Sequence, residues 1–472
     1  MAETSSSVSE LSSRPAQRER PPGPKGVPVL GNLFQFGRDQ LGYLTEIAHT
    51  YGDVVGFDLA GWPTVLLNDP DDIEQVLVKN HRSFIKNRLI WRHVTAVFGQ
   101  GILTAEGEQW QRNRRLAAPA FAGQQLLGYG ADMIALTNRM LDGWQDGELR
   151  DVHVEMMGLT LAIAAKTLMD SEVEQDIADM DHAVTDLTEE MASRFKRPFV
   201  IPDWVPLPGH VRYRRAIATG ERVIARMIAE RRANGYEGRI DFLSRLMAAR
   251  DENDCGMSDR QLRDETLTLL LAGHETTALA LSWSFHLIGQ NPEVDRRVAA
   301  EVLEVVGDRL ATVEDLPNLK FTESVILEAM RLYPPAWAIG RESLEEFEAA
   351  GYRFGRGTTV LISPWVLHRD SRHFDQPETF LPDRWMTGLA HSLPRFAYMP
   401  FGGGPRICIG QRFAMIEAVL LLATIAQRFS MEWQRDRKIT PFPSITLRPK
   451  GGVWVRLSKR RPAARPLLPR TL

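Results

Sequence analysis

Apolar residues recur every three to four positions over most of this chain, which predicts a protein built mainly from amphipathic helices. The strongest pattern runs from Ser258, a suitable N-cap, to about Gln290, where Asn291-Pro292 marks the end. Runs of alternating residues predict a small β portion. The other predicted helices are about 40–51, 107–118, 128–145, 155–170, 176–195, 212–233, 240–250, 293–305, 321–332 and 411–429, and the predicted strands are 54–59, 64–67, 358–362, 445–447 and 453–457.

The two ends of the chain differ from this helical middle. Residues 1–20 are polar and then Arg-rich, which is typical of a disordered leader, and residues 458–472 are predicted to form a basic, Pro-containing tail. Residues 21–457 contain neither an internal repeat nor a break in composition, so we expect a single domain. The N-terminus has neither a signal-peptide core nor a run of about 18 apolar residues, so we expect no membrane anchor.

Composition narrows the class of protein only slightly. Of 472 residues, 44% are hydrophobic and 25% are charged, as in ordinary soluble globular proteins. Lys and Arg total 57 and Asp and Glu total 60, so the net charge of −3 gives no reason to expect a nucleic-acid partner. Two cysteines, Cys255 and Cys408, are too few for a disulfide framework, which favours a reducing, cytoplasmic compartment.

One glycine-rich segment carries most of the chemical information. Its glycines allow the backbone to approach a flat ligand, and its cysteine comes just before the helix predicted from about residue 411. Backbone N–H groups and the positive helix end should lower the pKa of that thiol, while Arg406 can neutralise an anionic group on the same ligand. A buried structural cysteine in a turn is the alternative interpretation. The segment reads Phe401-Gly402-Gly403-Gly404-Pro405-Arg406-Ile407-Cys408-Ile409-Gly410.

This segment closely resembles the haem-ligand loop of the cytochrome P450 family, and the resemblance extends over residues 21–457. It implies the family's fold, which is mainly α with a small β portion and is shaped as a helical triangular prism with a small β-rich side. It also implies that the Cys408 thiolate binds the iron of haem b. Three further residues of the loop would then contact the cofactor, namely Phe401, Arg406 and Gly410.

The central helix contains a local conflict of the kind that is typical of functional sites, because Gly273 and a charged glutamate interrupt an apolar stretch. A surface glutamate beside a capping threonine is the alternative. The segment resembles the family's acid–Thr pair, which implies that Glu275 and Thr276 deliver protons during oxygen activation. In similar fatty-acid ω-hydroxylases a glutamate at the position of Ala272 bonds covalently to haem. We therefore expect the haem to be held non-covalently, with Ala272 beside it.

Two further sets of charged residues resemble motifs of the family. One set would form a buried ion-pair network beneath the haem, and its first two members lie three residues apart on one predicted helix. The other set would bind the haem propionates. Taken singly, the pair Glu328 and Arg331 is better explained as an ordinary surface pair and each propionate candidate as a solvated charge, but as sets in the family's order they favour the assigned roles. The network residues are Glu328, Arg331 and Arg384, and the propionate residues are Trp110, Arg114 and Arg341, with Arg406.

The segments that face substrate in this family are largely apolar here, which predicts a hydrophobic substrate such as a fatty acid or a terpenoid. Arg88, Arg92 and Arg194 are candidates to meet a carboxylate, which favours fatty acids slightly. The Tyr-Pro-Pro-Ala-Trp segment at 333–337 is instead similar to bacterial oxidases of cyclic terpenes. The predicted pocket residues are Trp91, Val94, Phe98, Phe195, Ala272, Trp337, Ile339 and Ile445.

The chain contains neither a dinucleotide fingerprint nor a cysteine cluster, so electrons from NAD(P)H should arrive through a ferredoxin or flavodoxin type donor and its reductase. Arg112, Arg115 and Arg412 are candidates for a basic docking patch, with solvated arginines as the alternative. The predicted function is O₂-dependent oxygen insertion by a monomer. A peroxide-using peroxygenase or isomerase and a non-catalytic haem sensor are the alternative functions.

Overall fold

The computed structural model describes residues 20–170, 177–196, 201, 204–239 and 241–460. Its mainly helical architecture with small sheets confirms the predicted fold class. The helices are α1 Leu33–Arg38, α2 Gln40–Tyr51, α3 Pro70–Glu74, α4 Arg88–Phe98, α5 Gly107–Ala117, α6 Gly123–Gly128, α7 Gly130–Asp142, α8 Val152–Met169, α9 Ile177–Lys196, α10 Pro208–Asn234, α11 Phe242–Ala248, α12 Asp259–Gln290, α13 Pro292–Val305, α14 Lys320–Leu332, α15 Pro364–Leu367, α16 Asp383–Met386, α17 Leu389–Ser392 and α18 Gln411–Arg428. The strands are β1 Val54–Leu59, β2 Trp62–Leu67, β3 Phe84–Ile85, β4 Leu149–Asp151, β5 Ile339–Ser343, β6 Phe347–Ala349, β7 Tyr352–Phe354, β8 Thr359–Ile362, β9 Phe429–Trp433, β10 Thr440–Pro443, β11 Leu447–Lys450 and β12 Trp454–Lys459.

Three predicted elements differ from the structure. No helix was predicted around 84–102, but this segment contains helix α4, and the strand expected at 445–447 begins only at Leu447 because 444–446 form a turn. Strand β12 continues through Lys459, so the tail does not begin at residue 458. Residues 461–472 of the predicted tail, and residues 1–19 of the predicted leader, lie outside the described residues.

The long helix α12 forms the centre of the molecule. Its first turn is closed by a capping box, in which the Gln261 N–H donates to the Ser258 hydroxyl at 3.3 Å and the Ser258 N–H donates to the Gln261 side chain at 3.0 Å. Helices α8, α10, α14 and α18 pack around it and bury it on most sides. Helix α8 is long and apolar enough to cross a membrane by composition, but 67% of its residues are buried here, as in a core helix.

The larger sheet and the β10–β11 hairpin share one hydrophobic cluster, which contains Leu66, Leu361 and Leu447. The larger sheet has the order β1-β2-β8-β5-β3, with β2 and β8 parallel and the other pairs antiparallel. The β10–β11 hairpin is fixed by two indole donors, because Trp337 Nε1 donates to the Ser444 carbonyl at 2.9 Å and Trp283 Nε1 donates to the Leu447 carbonyl at 3.0 Å. The 444–446 turn is therefore held in a defined position against the core.

A buried ion-pair network joins α14 to the segment that precedes the glycine-rich loop. The carboxylate of Glu328, fully buried, accepts hydrogen bonds from Arg331 at 2.8 and 2.9 Å and from Arg384 Nε at 3.0 Å. The Trp385 indole and the Leu381 N–H complete its shell at 2.9 and 3.0 Å. The structure thus brings together the three residues that the sequence assigned to one network.

The same network reaches the loop that follows Met399. Arg331 also donates to the carbonyl of His368 at 2.8 Å. Burial and the charge of Arg331 lower the pKa of His368 to about 3, so its ring is neutral and its Nε2 accepts the Met399 N–H at 2.9 Å. The buried charges therefore fix the backbone just ahead of Phe401.

Candidate active site

The glycine-rich loop is closed by a hydrogen bond from the Cys408 N–H to the Phe401 carbonyl at 3.0 Å. Gly404 has φ +70°, and a Cβ there would lie 2.0 Å from the carbonyl oxygen of Leu77. A Cβ at Gly403 would lie 2.2 Å from the ring of Phe396. Steric exclusion therefore requires glycine at these two positions, and the loop holds the cysteine directly before α18.

The sulfur of Cys408 opens onto an internal cavity, which is why the residue retains accessible surface although it lies deep in the protein. Burial raises the pKa of the Cys408 thiol, while the N–H groups of Gly410 and Gln411 lower it by a smaller amount. The expected helix-start donors are present and lower the pKa as expected, but in the protein alone the effect of burial is larger, so the net shift is upward.

The cavity has a volume of about 660 Å³ and extends from Cys408 along α12 to α4 and α9. Its walls are mostly apolar, and helix α4 presents three predicted pocket residues at positions 91, 94 and 98, a spacing that places them on one helical face. The side chain of Phe195 lies outside the described residues. Besides Cys408, the residues that the sequence assigned to the site and that line this cavity are Trp91, Val94, Phe98, Trp110, Arg114, Ala272, Glu275, Thr276, Trp337, Ile339, Arg341, Phe401, Arg406, Gly410 and Ile445.

One edge of the cavity carries an excess of positive charge. This cationic rim consists of Lys86, Arg341 and Arg406 and is faced by one carboxylate, Glu106. Arg406 pairs with Glu106, donates to the Ala105 carbonyl at 3.0 Å and lies 4.4 Å from the ring of Trp110. Lys86 Nζ lies 3.3 Å from Glu106.

In the protein alone, the protonated forms of the rim residues are destabilised. Burial, followed by the charge of Arg406, lowers the pKa of Arg341 to about 10 and that of Lys86 to about 7. The guanidinium of Arg341 donates to its neighbour's carbonyl, Gly340 O, at 3.0 Å. A ligand with two carboxylates at this edge would neutralise the excess charge, so the rim fits the propionates of haem. Lys86 was not among the residues assigned from the sequence.

Arg114 occupies a different position from the rest of the predicted propionate set. Its Nη1 donates to the carbonyl of Ile407 at 2.7 Å, directly beside Cys408. Burial lowers the pKa of Arg114, and Cys408 is the neighbour that opposes this shift. In this arrangement Arg114 supports the cysteine loop, and its binding to a propionate stays a prediction.

The two residues of the predicted acid–Thr pair on α12, Glu275 and Thr276, have different surroundings. Thr276 faces the cavity, and its hydroxyl donates to the Ala272 carbonyl at 2.8 Å. Glu275 accepts hydrogen bonds from Arg448 Nε at 2.8 Å and from the Thr446 hydroxyl at 2.7 Å. Burial alone would raise the pKa of Glu275, but Arg448 and Thr446 together make the net shift downward. Glu275 is therefore an anion held by the β10–β11 hairpin, and its role in proton delivery stays a prediction.

A second buried acid close to this pair was not found from the sequence. Glu417 on α18 is 1% exposed, and burial raises its pKa to about 8, with the Thr277 hydroxyl opposing the shift. Within the described part of the chain, neither carboxyl oxygen has a hydrogen bond of normal geometry. The sequence signal that could have identified Glu417 is the one that marked Glu275, namely a glutamate inside an apolar helical run.

Most of the arginines proposed for partners or substrates are already paired within the chain. Arg112 donates to Asp251 at 2.7 Å and to the carbonyls of residues 255 and 256, and Arg115 pairs with Glu252. Arg412 is exposed at the start of α18. Of the substrate candidates, Arg88 pairs with Glu342, Arg194 pairs with Glu190, and Arg92 is exposed at the cavity.

Haem is apolar over most of its surface and anionic at one edge, and the cavity offers apolar walls and a cationic rim beside a cysteine sulfur. The protein class that this fold and this site define is that of the haem-thiolate proteins. When bound, the haem would be held by Cys408 at its iron and by the cationic rim at its propionates.

Comparison with known proteins agrees with this assignment. The cytochrome P450 family model matches residues 21–455, so the chain belongs to the cytochrome P450 family. It is 36% identical to cyclooctatin synthase of Streptomyces melanosporofaciens over 426 residues, 90% of this chain and 92% of the relative. It is 34% identical to cyclooctat-9-en-7-ol 5-monooxygenase of the same organism, covering 92% and 93% of the two chains. Pentalenene oxygenase of Streptomyces avermitilis is 31% identical, covering 93% and 97%.

The function class follows from this membership. The protein is a haem-thiolate monooxygenase that requires a redox partner and acts on a small hydrophobic substrate. This confirms the predicted enzyme class and cofactor, in preference to a non-catalytic haem sensor.

Proposed function

We propose that this monooxygenase inserts one oxygen atom of O₂ into a cyclic terpenoid rather than a fatty acid. The observation that carries the choice is the pairing of two of the three candidate carboxylate anchors, since Arg88 is bound to Glu342 and Arg194 to Glu190, while the third, Arg92, is exposed. A fatty-acid carboxylate buried beside either carboxylate would be repelled. The three bacterial relatives are named for cyclooctatin, cyclooctat-9-en-7-ol and pentalenene, which supports the same choice.

The residues of this chain have separate tasks in that reaction. Bound haem supplies the activation of O₂, with the Cys408 thiolate as the ligand that favours O–O cleavage. Thr276 places a hydroxyl at the cavity wall, and turning it away from the Ala272 carbonyl would direct its hydrogen bond to a ligand. The apolar walls exclude bulk water from the substrate, and Trp91, Phe98 and Trp337 are among their aromatic residues.

Two electrons per turnover would come from a ferredoxin or flavodoxin type protein and its reductase, with the enzyme as a cytoplasmic monomer. The exposed Arg412 lies four residues after Cys408 and is the member of the predicted patch best placed to meet an acidic donor. Arg112 and Arg115 are occupied by Asp251 and Glu252, so we expect them to contribute less.

The test is a titration of the ferric protein with cyclic terpenoids and with fatty acids of similar size. We expect a low-spin to high-spin shift with terpenoids, and product formation with NAD(P)H and surrogate redox partners. The Thr276→Ala variant should consume NAD(P)H and release peroxide, and Thr276→Ser should restore coupling. Spin shifts confined to fatty acids would contradict the substrate class, and turnover by peroxide alone would favour the peroxygenase alternative.

A further inference from the structure

The wall of the cavity between α4 and α5 is a short segment, residues 99–104, that lies outside any helix or strand. Its Ile102 lines the cavity. Two neighbouring carboxylates of α12 hold the segment, because the Gln100 N–H donates to Asp264 Oδ2 at 2.7 Å and the Ile102 N–H donates to Glu265 Oε2 at 3.0 Å. Asp264 and Glu265 together form a clamp that sets the position of this wall.

The segment can approach α12 this closely because two of its residues are glycines. Gly99 has φ +61°, and a Cβ there would lie 2.1 Å from Asp264 Oδ2. A Cβ at Gly101 would lie 2.4 Å from the hydroxyl oxygen of Thr268 and 2.8 Å from the carbonyl oxygen of Asp264. Since a larger residue at either position would push the segment away from the helix, the sequence itself specifies this close contact.

The Glu265 carboxyl lies in a fully buried group that has too few hydrogen-bond donors. Asn113 on α5 lies beside this carboxyl and is also fully buried, and its Nδ2 donates to the Gln100 carbonyl at 3.0 Å. Within the described residues, Glu265 Oε1 and Asn113 Oδ1 then have no hydrogen bond of normal geometry. Buried acceptors without donors are destabilising, and a proton on Glu265 adds the missing donor.

The surrounding charges favour the same protonated form. Burial, and to a smaller extent the charge of Asp264, raises the pKa of Glu265 to about 7 against the opposing hydrogen bond from Ile102. Asp264 in turn pairs with Arg263, which also pairs with Glu221 on α10. A glutamate in water titrates near 4.5, so the held segment binds the proton more tightly than a released one. The proton therefore stabilises the clamp at low pH, and this stabilisation is lost as the pH rises through about 7.

We propose that Asp264 and Glu265 are positioning residues that hold residues 99–104 against α12, with Glu265 protonated, and thereby control the movement of ligands into and out of the cavity. Both residues act through the wall to which Ile102 belongs, and not by contact with a substrate. Ionisation of Glu265 releases the clamp, because a second anion beside Asp264 is more stable in water than in a buried site. The inference does not depend on which substrate class the enzyme uses.

The first measurement is amide hydrogen exchange of the ferric holoenzyme, expressed as protection factors so that the intrinsic pH dependence of exchange is removed. From the two pKa values, the ratio of released to held clamp should rise about tenfold between about pH 6 and about pH 8. We therefore expect the protection of the Gln100 and Ile102 N–H groups to fall about tenfold over this range.

An internal control is present in the same molecule. The Thr312 N–H donates to the carboxylate of Asp315 at 2.8 Å, and the hydrogen bond from Arg309 lowers the pKa of that carboxyl. Asp315 is therefore an anion over the whole range, and the protection of the Thr312 N–H should not change with pH.

Two variants separate the proposal from general damage. Glu265→Gln copies the protonated carboxyl in shape and in hydrogen-bonding groups but does not ionise, so the protection of Gln100 and Ile102 should stay high at about pH 8. Asp259→Asn is the matched control, because Asp259 is an exposed acid in the first turn of the same helix, paired with Arg232. This control should keep the pH dependence of the wild-type protein.

The second measurement connects the clamp to ligand exchange. The probe is a neutral cyclic terpene, whose charge does not change with pH, and stopped-flow spectroscopy follows the ferric spin shift on mixing and on dilution. We expect the association and dissociation rates both to rise about tenfold between about pH 6 and about pH 8 in the wild-type protein and in Asp259→Asn. Both rates should stay low in Glu265→Gln. The reduced carbon monoxide spectrum confirms for each variant that the thiolate-bound haem is intact.

Several results would overturn the inference. Wild-type protection that does not fall with pH would contradict it, as would an equal fall in Glu265→Gln. Ligand rates that stay constant while protection falls would show that the clamp has a structural role only. If only fatty acids shift the spin state, the proposed function has failed, whereas hydrogen exchange still tests the clamp and the rates are measured with the fatty acid.

Discussion

Replacement of Glu328 by glutamine is the most informative perturbation of the fold, because it removes one charge and preserves the shape of the side chain. The carboxylate accepts five hydrogen bonds while fully buried, and three come from arginines. Glu328→Gln leaves Arg331, fully buried, and Arg384 without their shared counter-ion. Breaking one partner of a buried ion pair costs about 3–5 kcal/mol, so we expect the free energy of unfolding to fall by about that amount.

The assay is urea unfolding of the ferric protein followed by circular dichroism, with haem loading determined separately. Glu293→Gln is the matched control, since Glu293 forms an exposed i,i+3 pair with Arg296 and should contribute less than about 1 kcal/mol. Because Arg331 also bonds to the carbonyl of His368, whose ring holds Met399, we expect Glu328→Gln to lower haem loading as well. A stability within about 1 kcal/mol of wild type, with full haem loading, would refute the reasoning.

Two further predictions concern the cysteine loop and the helix that follows it. Burial raises the pKa of Glu417 from 4.5 to about 8, so the folded state holds this proton more tightly than the unfolded state does. The free energy of unfolding should therefore fall as the pH rises from about 4.5 to 8, by up to about 4–5 kcal/mol. Glu417→Gln should remove that slope in urea unfolding curves measured at several pH values, and curves parallel to wild type would show that the carboxyl does not titrate in this range. Gly404→Ala places a Cβ 2.0 Å from the Leu77 carbonyl oxygen at φ +70°, so we expect loss of the thiolate-type carbon monoxide spectrum, whereas Gly355→Ala, with open space around its Cβ, should keep it.

Local sequence patterns were sufficient for the long helices and for the identity of the iron ligand. Helix α12 carries its own N-cap and its own stop signal, and Cys408 follows a glycine-rich run directly before α18. Helix α4 was missed because Arg88–Phe98 is short and mixes aromatic and β-branched residues, so that packing against α12 decides its conformation. Propensity alone is a weak guide to such a segment.

The features that the sequence did not predict depend on contacts between distant segments. Lys86 joins Arg406 in the cationic rim across 320 positions of the chain, and no local pattern marks such a contact. Burial raises the pKa of the Cys408 thiol, and burial is a property of the folded molecule. Likewise, Arg194 was expected to meet a carboxylate until the structure placed Glu190 against it.

The two ends of the cavity differ in charge, and this difference explains how one space can serve two ligands. At the cysteine end, three cations face one carboxylate, namely Lys86, Arg341 and Arg406 against Glu106. An anionic group is therefore favoured there, and a neutral group would leave the cations without counter-ions. At the α4–α9 end, the buried Arg194 is already paired with Glu190, and most of the wall is apolar. The anionic edge of the haem is therefore favoured at the cysteine end, and the apolar wall towards α4 is left for a hydrophobic substrate.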